Sequence, residues 1–213
     1  MSDVRQAYVT AAEVATALLR APAVAAGWGR PSALPEFSVG GLAAHLGAQV
    51  FNVTLALAAE VPPGCSAVSV REHYARASWL AADLNEETNV LIRRGSEKAA
   101  ANGPVDVHTR ASAELRRLRD VLPAEPADRT VFLPWAGWPL TLDDLLLTRL
   151  MEIAVHCDDL AASVAEPTPE LPDAVFDPVL TLLTGLAVRR HGQVAVLRAL
   201  SRAERAPATI TAL

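Results

Sequence analysis

Apolar positions in this chain recur mostly at spacings of three and four, with little strict alternation, and that rhythm predicts helices packed by one face. From Asp3 to about Ala26 the inward positions are Tyr8, Ala11, Ala15 and the Leu18–Leu19 pair, which gives a first helix. A Pro- and Gly-rich connection, Trp28 to Phe37, leads to a second helix from Ser38 to Glu60, ended by Val61-Pro62-Pro63-Gly64. A third helix is expected from about Ser69 to Arg94, closing before Gly95, and another from Val105 to Val121 after the break at Asn102-Gly103-Pro104. Only Arg129 to Leu140 looks β-like, as two short strands about a Gly turn or an irregular lid. Thr141-Leu-Asp-Asp144 has the form of a capping box and opens a helix that runs to about Val164. Beyond Glu166-Pro167, a helix from Asp177 to Arg190 with Pro178 in its first turn, and a short one from Gln193 to Ala203, complete the chain.

Composition agrees with a mainly α protein. Half of the 213 residues are apolar (51%), aromatics are few (5%), and Ala and Leu are abundant, which suits closely packed helices. At roughly 150 residues per domain the length allows one domain, or one with a small appendage. The net charge of −5 argues against a nucleic-acid surface, which needs a positive field to meet phosphate. The start, Met1-Ser-Asp-Val-Arg, lacks the pattern of a secretory signal, and no run reaches the ~20 apolar residues of a membrane span. The two cysteines, Cys65 and Cys157, imply no disulfide framework, so the cytoplasm is the expected compartment and no membrane partner is expected. Lys98 is the only lysine among 19 basic residues, a bias expected of a high-GC genome such as an actinobacterial one.

The chemistry stands in Arg149-Leu-Met-Glu152-Ile-Ala-Val-His156-Cys-Asp-Asp159-Leu160. At about 100° per residue, Glu152 and His156 fall in one arc with Leu145, Ile153 and Leu160. Asp143, Asp144, Asp158 and Ala161 fall on the other side, toward solvent. A carboxylate and an imidazole in an apolar stripe need compensation, and a metal ion supplies it for both. The candidate third ligand is His45, whose helix puts His45, Gln49 and Asn52 on one polar track flanked by Leu42, Leu46 and Val53. His73 and His108 sit among charged residues, and His191 follows Arg189-Arg190 at a helix end, so they fit less well. Asp159 and Arg149 face the same side as Glu152 and His156 and are candidate catalytic residues. Asp159 can orient His156, and Arg149 can pair with Glu152. Gln49 and Asn52 are candidate ligand-binding residues, and Trp135 and Trp138 can cover a pocket mouth. Cys157 reads as a core cysteine and Cys65 as a loop thiol. The alternative to a metal at Glu152 and His156 is a buried polar network.

The opening Trp28-Gly-Arg-Pro-Ser32-Ala-Leu34-Pro35-Glu-Phe37-Ser38-Val39-Gly-Gly-Leu42-Ala-Ala-His45-Leu46 resembles that of the mycothiol-dependent maleylpyruvate isomerase family, within the DinB-like superfamily of helical bundles. The segment from Arg149 to Leu160 resembles the family's "R..E..VH..DL". Phe37 stands where that family usually has Trp, and Gly40-Gly41 replaces a polar residue followed by Asp. The resemblance implies a DinB-like four-helix bundle over residues 1–166, with a small helical C-terminal extension over 167–213. It also implies a divalent metal, zinc or another such as nickel, on His45, Glu152 and His156. Mycothiol is the implied cosubstrate: a low-molecular-weight thiol, or water, is activated to attack an electrophilic small molecule in an isomerase or S-transferase reaction. The family's isomerase draws a substrate-binding arginine from a separate C-terminal domain, for which Arg189, Arg190, Arg198 and Arg202 are the available substitutes here. The other functional reading is a non-catalytic, metal-containing helical protein that binds a small ligand. Either a monomer or a homodimer is compatible with the sequence.

Overall fold

The computed structural model describes residues 2–77 and 86–213. In chain order its elements are α1 (Asp3–Leu19), α2 (Pro22–Gly27), α3 (Val39–Ala58), α4 (Val70–Arg76), α5 (Glu87–Ala100) and α6 (Pro104–Val121). The hairpin β1 (Thr130–Leu133) and β2 (Trp138–Thr141) follows, then α7 (Leu142–Ser163), α8 (Asp173–His191) and α9 (Gln193–Ser201). The fold is mainly α, as the apolar rhythm predicts, with the β-like segment realised as an antiparallel pair, Thr130 opposite Thr141 and Leu133 opposite Trp138. Gly137 takes φ 86° in its turn, a conformation that costs glycine nothing.

Helices α1, α7, α3 and α6 close a four-helix bundle in which each packs on the next, α6 returning to α1. α5 lies on α3, and α8 lies across α1 and α7. The central member is α7: Leu142, Leu145, Leu146, Leu150, Met151, Ile153 and Leu160 are all fully buried, each leucine contributing about 1.5–3 kcal/mol. Ala161, expected on the solvent side, is also fully buried, because α1, α3 and α8 surround α7 on more than one face. By length and composition alone α3 is apolar enough to cross a membrane (20 residues, mean hydropathy 1.3), contrary to the expectation that no run is; more than half of it is buried inside the bundle.

Several boundaries differ from expectation. The first helix stops at Leu19, and a separate turn of helix starts at Pro22, whose missing N–H and ring bar the first helix from running through. The single helix expected from Ser69 to Arg94 is two helices, α4 and α5; the part over 78–85 lies outside the described residues. α5 does not close before Gly95 but continues to Ala100. The helix expected to start at Asp177 starts at Asp173 behind Pro172, so Pro178 lies inside it, where it forgoes the bond to the Ala174 carbonyl. The last helix ends at Ser201 and is followed by a 3-10 turn, Ala203–Arg205.

Two starts set the register of the site-bearing helices. Thr141 caps α7 by accepting from Asp144 N at 3.1 Å, and Ser38 caps α3 by accepting from Gly41 N at 2.8 Å. A side chain at Gly40 would meet the Trp28 ring at 2.7 Å, and one at Gly41 would collide with the Glu97 carboxylate. The Gly40-Gly41 pair is therefore what lets α2 and α5 close on the start of α3.

Arg5 ties the other end of the bundle together. Buried at 3% exposure, it donates to Asp143 Oδ1 (2.7 Å) and to the carbonyls of Leu122 (3.1 Å), Glu125 (2.7 Å) and Pro126 (2.8 Å). These carbonyls lie where α6 has run out of intrahelical donors. Arg5→Met is expected to cost about 3 kcal/mol by stranding those acceptors, a fall in Tm of roughly 6–12 °C in a chain of this size. Arg5→Lys is expected to recover less than half, since one ammonium cannot serve the same planar fork of acceptors. Thermal unfolding followed by circular dichroism checks both.

Candidate metal centre

Glu152, His156 and Asp159 project from consecutive turns of α7. His156 donates from Nε2 to Glu152 Oε2 at 3.1 Å and from Nδ1 to Asp159 Oδ2 at 3.0 Å, and its side chain is only 11% exposed. Burial disfavours the charged imidazole, but the bonds to Asp159 and Glu152 outweigh it and raise His156 to about 9. For Glu152 burial would raise the carboxyl; the His156 bond and the Arg149 charge overcome it and hold it at about 2. His156 is therefore held as the imidazolium, with one N–H directed to each carboxylate.

α3 brings His45 against this pair from the facing side. The rings of His45 and His156 meet edge to face with centroids 4.7 Å apart. Burial, helped by the charge on His156, lowers His45 to about 4, so it is neutral. Its Nδ1 lies 3.4 Å from Ser96 Oγ of α5, and the Phe37 ring stands 5.8 Å away. One ligand atom each from His45, Glu152 and His156 lie within 4.8 Å of one another. A tetrahedral zinc needs donors about 3.3 Å apart; the His156–Glu152 contact already has that spacing. Two imidazoles and a carboxylate form a donor set that zinc accepts, so the residues fit such an ion.

Arg149 is buried at 7% exposure, and among the described residues its hydrogen bonds do not go to Glu152. It donates to Gln49 Oε1 at 2.6 Å and to Thr148 Oγ1 at 3.1 Å. Gln49 Nε2 donates back to the His45 carbonyl at 2.9 Å, so both ends of this amide are engaged within the protein. Gln49 thus braces Arg149 against α3, while Asn52, a turn further along, is half-buried.

Arg71, Glu72 and Arg76 make α4 look wholly polar in the sequence, yet it carries His73 and Tyr74 inward. Both are buried, His73 at 4% exposure, and both feel the charges of Glu152 and Arg149. Burial, then Arg149, lowers His73 to about 4. Its Nδ1 accepts from Trp138 Nε1 at 3.1 Å, and Arg76 lies over the same indole at 5.6 Å. The available signal was the helical spacing of Val70, His73, Tyr74 and Ala77, which puts them on one face. Trp135 is 45% exposed beside the hairpin turn. His108 bonds Ser112 and His191 bonds the Thr211 carbonyl, so neither joins the cluster. Cys157 is buried, and burial pushes its thiol up to about 12; Cys65 is exposed. Of the four C-terminal arginines, Arg189 reaches the Ala75 carbonyl of α4 at 3.4 Å, and Arg202 bonds the carbonyl of Ser201.

Neither a curated protein nor a solved structure matches the chain. Residues 9–161, a span that contains His45, Glu152 and His156, match the family described as the mycothiol maleylpyruvate isomerase N-terminal domain. The match takes in α3, α7 and nearly the whole bundle between them, and the chain belongs to that family.

Proposed function

We propose that this protein is a divalent-metal enzyme of the mycothiol-dependent isomerase or S-transferase type, with zinc on His45, Glu152 and His156. The convergence of those three ligand atoms from two facing helices carries the reading, and membership of a mycothiol-related family supports the choice of thiol. When bound, the ion lowers the pKa of a thiol or water and so provides a nucleophile at neutral pH. The substrates are then a low-molecular-weight thiol and an electrophilic small molecule.

The chain's own groups have distinct tasks in this reading. Glu152 stays ionised and His45 stays neutral, so both are ready to ligate. Asp159 keeps the Nδ1 proton of His156 and so turns Nε2 inward. Arg149, held by Gln49, places positive charge beside the ligands and favours a thiolate over a thiol. Asn52 lies on the same helix as His45 and offers an amide to the electrophile.

Purified protein is expected to carry about one zinc or nickel per chain by elemental mass spectrometry, and His156→Ala and Glu152→Ala to lose it. The loaded protein, but not the chelated one, is expected to speed conjugation of a small thiol to a generic electrophile. A wild type that takes up no metal on reconstitution would reduce the site to a buried polar network.

Metal binding must also expel the His156 proton. Because that proton leaves only near pH 9 in the metal-free protein, apparent zinc affinity is expected to rise about tenfold per pH unit up to that point and then level. Asp159→Asn, which removes one of the groups raising His156, is expected to flatten the dependence. Competition titrations at about pH 6 and about pH 8 measure it, and equal affinity at both would remove His156 from the ligand set.

A further inference from the structure

Ser96 and Glu97, neighbours on α5, reach across to α3 at the two points that decide how His45 is presented. Ser96 is buried at 8% exposure on an otherwise mostly polar helix. Its hydroxyl donates to the Ile92 carbonyl at 2.9 Å, which uses its only hydrogen. The oxygen then faces His45 Nδ1, 3.4 Å away, as an acceptor. A neutral imidazole nitrogen that faces an acceptor carries the ring proton, which leaves Nε2 as the nitrogen free to ligate.

Glu97 acts on the start of the same helix. Its Oε1 accepts from Ser38 N and its Oε2 from Ser38 Oγ, both at 2.8 Å, while Ser38 Oγ accepts from Gly41 N. In a capping box the acceptor for the N-cap N–H comes from the third helical residue. Here that residue is Gly41, and a side chain on it would run into the Glu97 carboxylate. Glu97 therefore supplies from another helix the half of the box that residue 41 lacks. His45 lies about two turns further along α3.

We propose that Ser96 and Glu97 are positioning residues for His45: Glu97 fixes where its helix begins, and Ser96 fixes which ring nitrogen it offers to the metal. This inference rests on the metal reading given above. It explains why an exposed glutamate and a buried serine on adjacent positions of α5 both turn an oxygen toward α3.

The test starts with metal-free protein at about pH 8 and reads the His45 tautomer by nitrogen-15 NMR. Wild type shows the Nδ1–H form. Ser96→Ala loses that preference and binds zinc about tenfold more weakly, and Ser96→Thr, which keeps the hydroxyl, restores both. An unchanged tautomer and affinity in Ser96→Ala overturn its role. Glu97→Ala lowers Tm by roughly 2–4 °C and weakens zinc binding. Adding Gly41→Asp in that background recovers both, whereas Gly41→Asp beside an intact Glu97 is worse than wild type. A double variant no better than Glu97→Ala overturns the role of Glu97. A wild type that binds no zinc sinks the functional reading alone, because the tautomer is read without metal and still decides what Ser96 does.

Discussion

An imidazole held between two carboxylates, in the middle of a leucine-packed helix, is the constraint to which the rest of this structure answers. The leucines of α7 fix that helix at the centre of the bundle, and burying them carries Glu152 and His156 inward with them. Charges taken that far from water need partners on every side. His156 has Glu152 and Asp159 within its own helix. Arg149 has no such partner one turn before, and its guanidinium is received by Gln49 of α3, whose amide is in turn tied to the backbone at His45. The polar side of α3 and the polar side of α7 thus form one network, and the position of His45 follows from it.

That dependence explains the unusual start of α3. A helix whose seventh residue must meet a site on another helix needs a fixed beginning, and here the beginning is clamped from two directions. Trp28 packs on Gly40 and donates from Nε1 to the Ala100 carbonyl at the end of α5, while Glu97 of α5 takes up the Ser38 donors. Gly40 and Gly41 are the space those contacts need. The half of the capping box that Gly41 cannot supply comes instead from Glu97 of a different helix.

Local chemistry was legible in the sequence; contacts between distant segments were not. The caps at Ser38 and Thr141, the hairpin about Gly137 and the inward pair on α7 all depend on neighbours within a few residues, so periodicity and turn residues find them. His45 was reachable because an amphipathic track on α3 matched that on α7. His73 was not: its burial comes from Trp138 and α7, far along the chain, and its own segment is rich in charge. Ala161 failed for a related reason, since a two-sided wheel assumes one buried face, and α7 is covered on several. The break before Pro22 shows proline overriding apolar rhythm, whereas α8 starts earlier than Pro178 suggested and runs through it.

If the three residues hold a metal, whether it works or merely holds helices together turns on the spare donors around them. Structural zinc sites are closed by four protein ligands, whereas catalytic ones leave a position open. Asp159 offers a further carboxylate, but it is spent on the far nitrogen of His156. The Ser96 hydroxyl is spent on Ile92 and His45. His73 presents Nδ1 to Trp138, away from any role as a ligand through that atom. Cys157 is held as a thiol by burial, the wrong form for a metal ligand. Among the described residues those groups are committed, so a metal on His45, Glu152 and His156 would take its next ligand from solution, and under the proposed function the charge of Arg149 would favour an anion there.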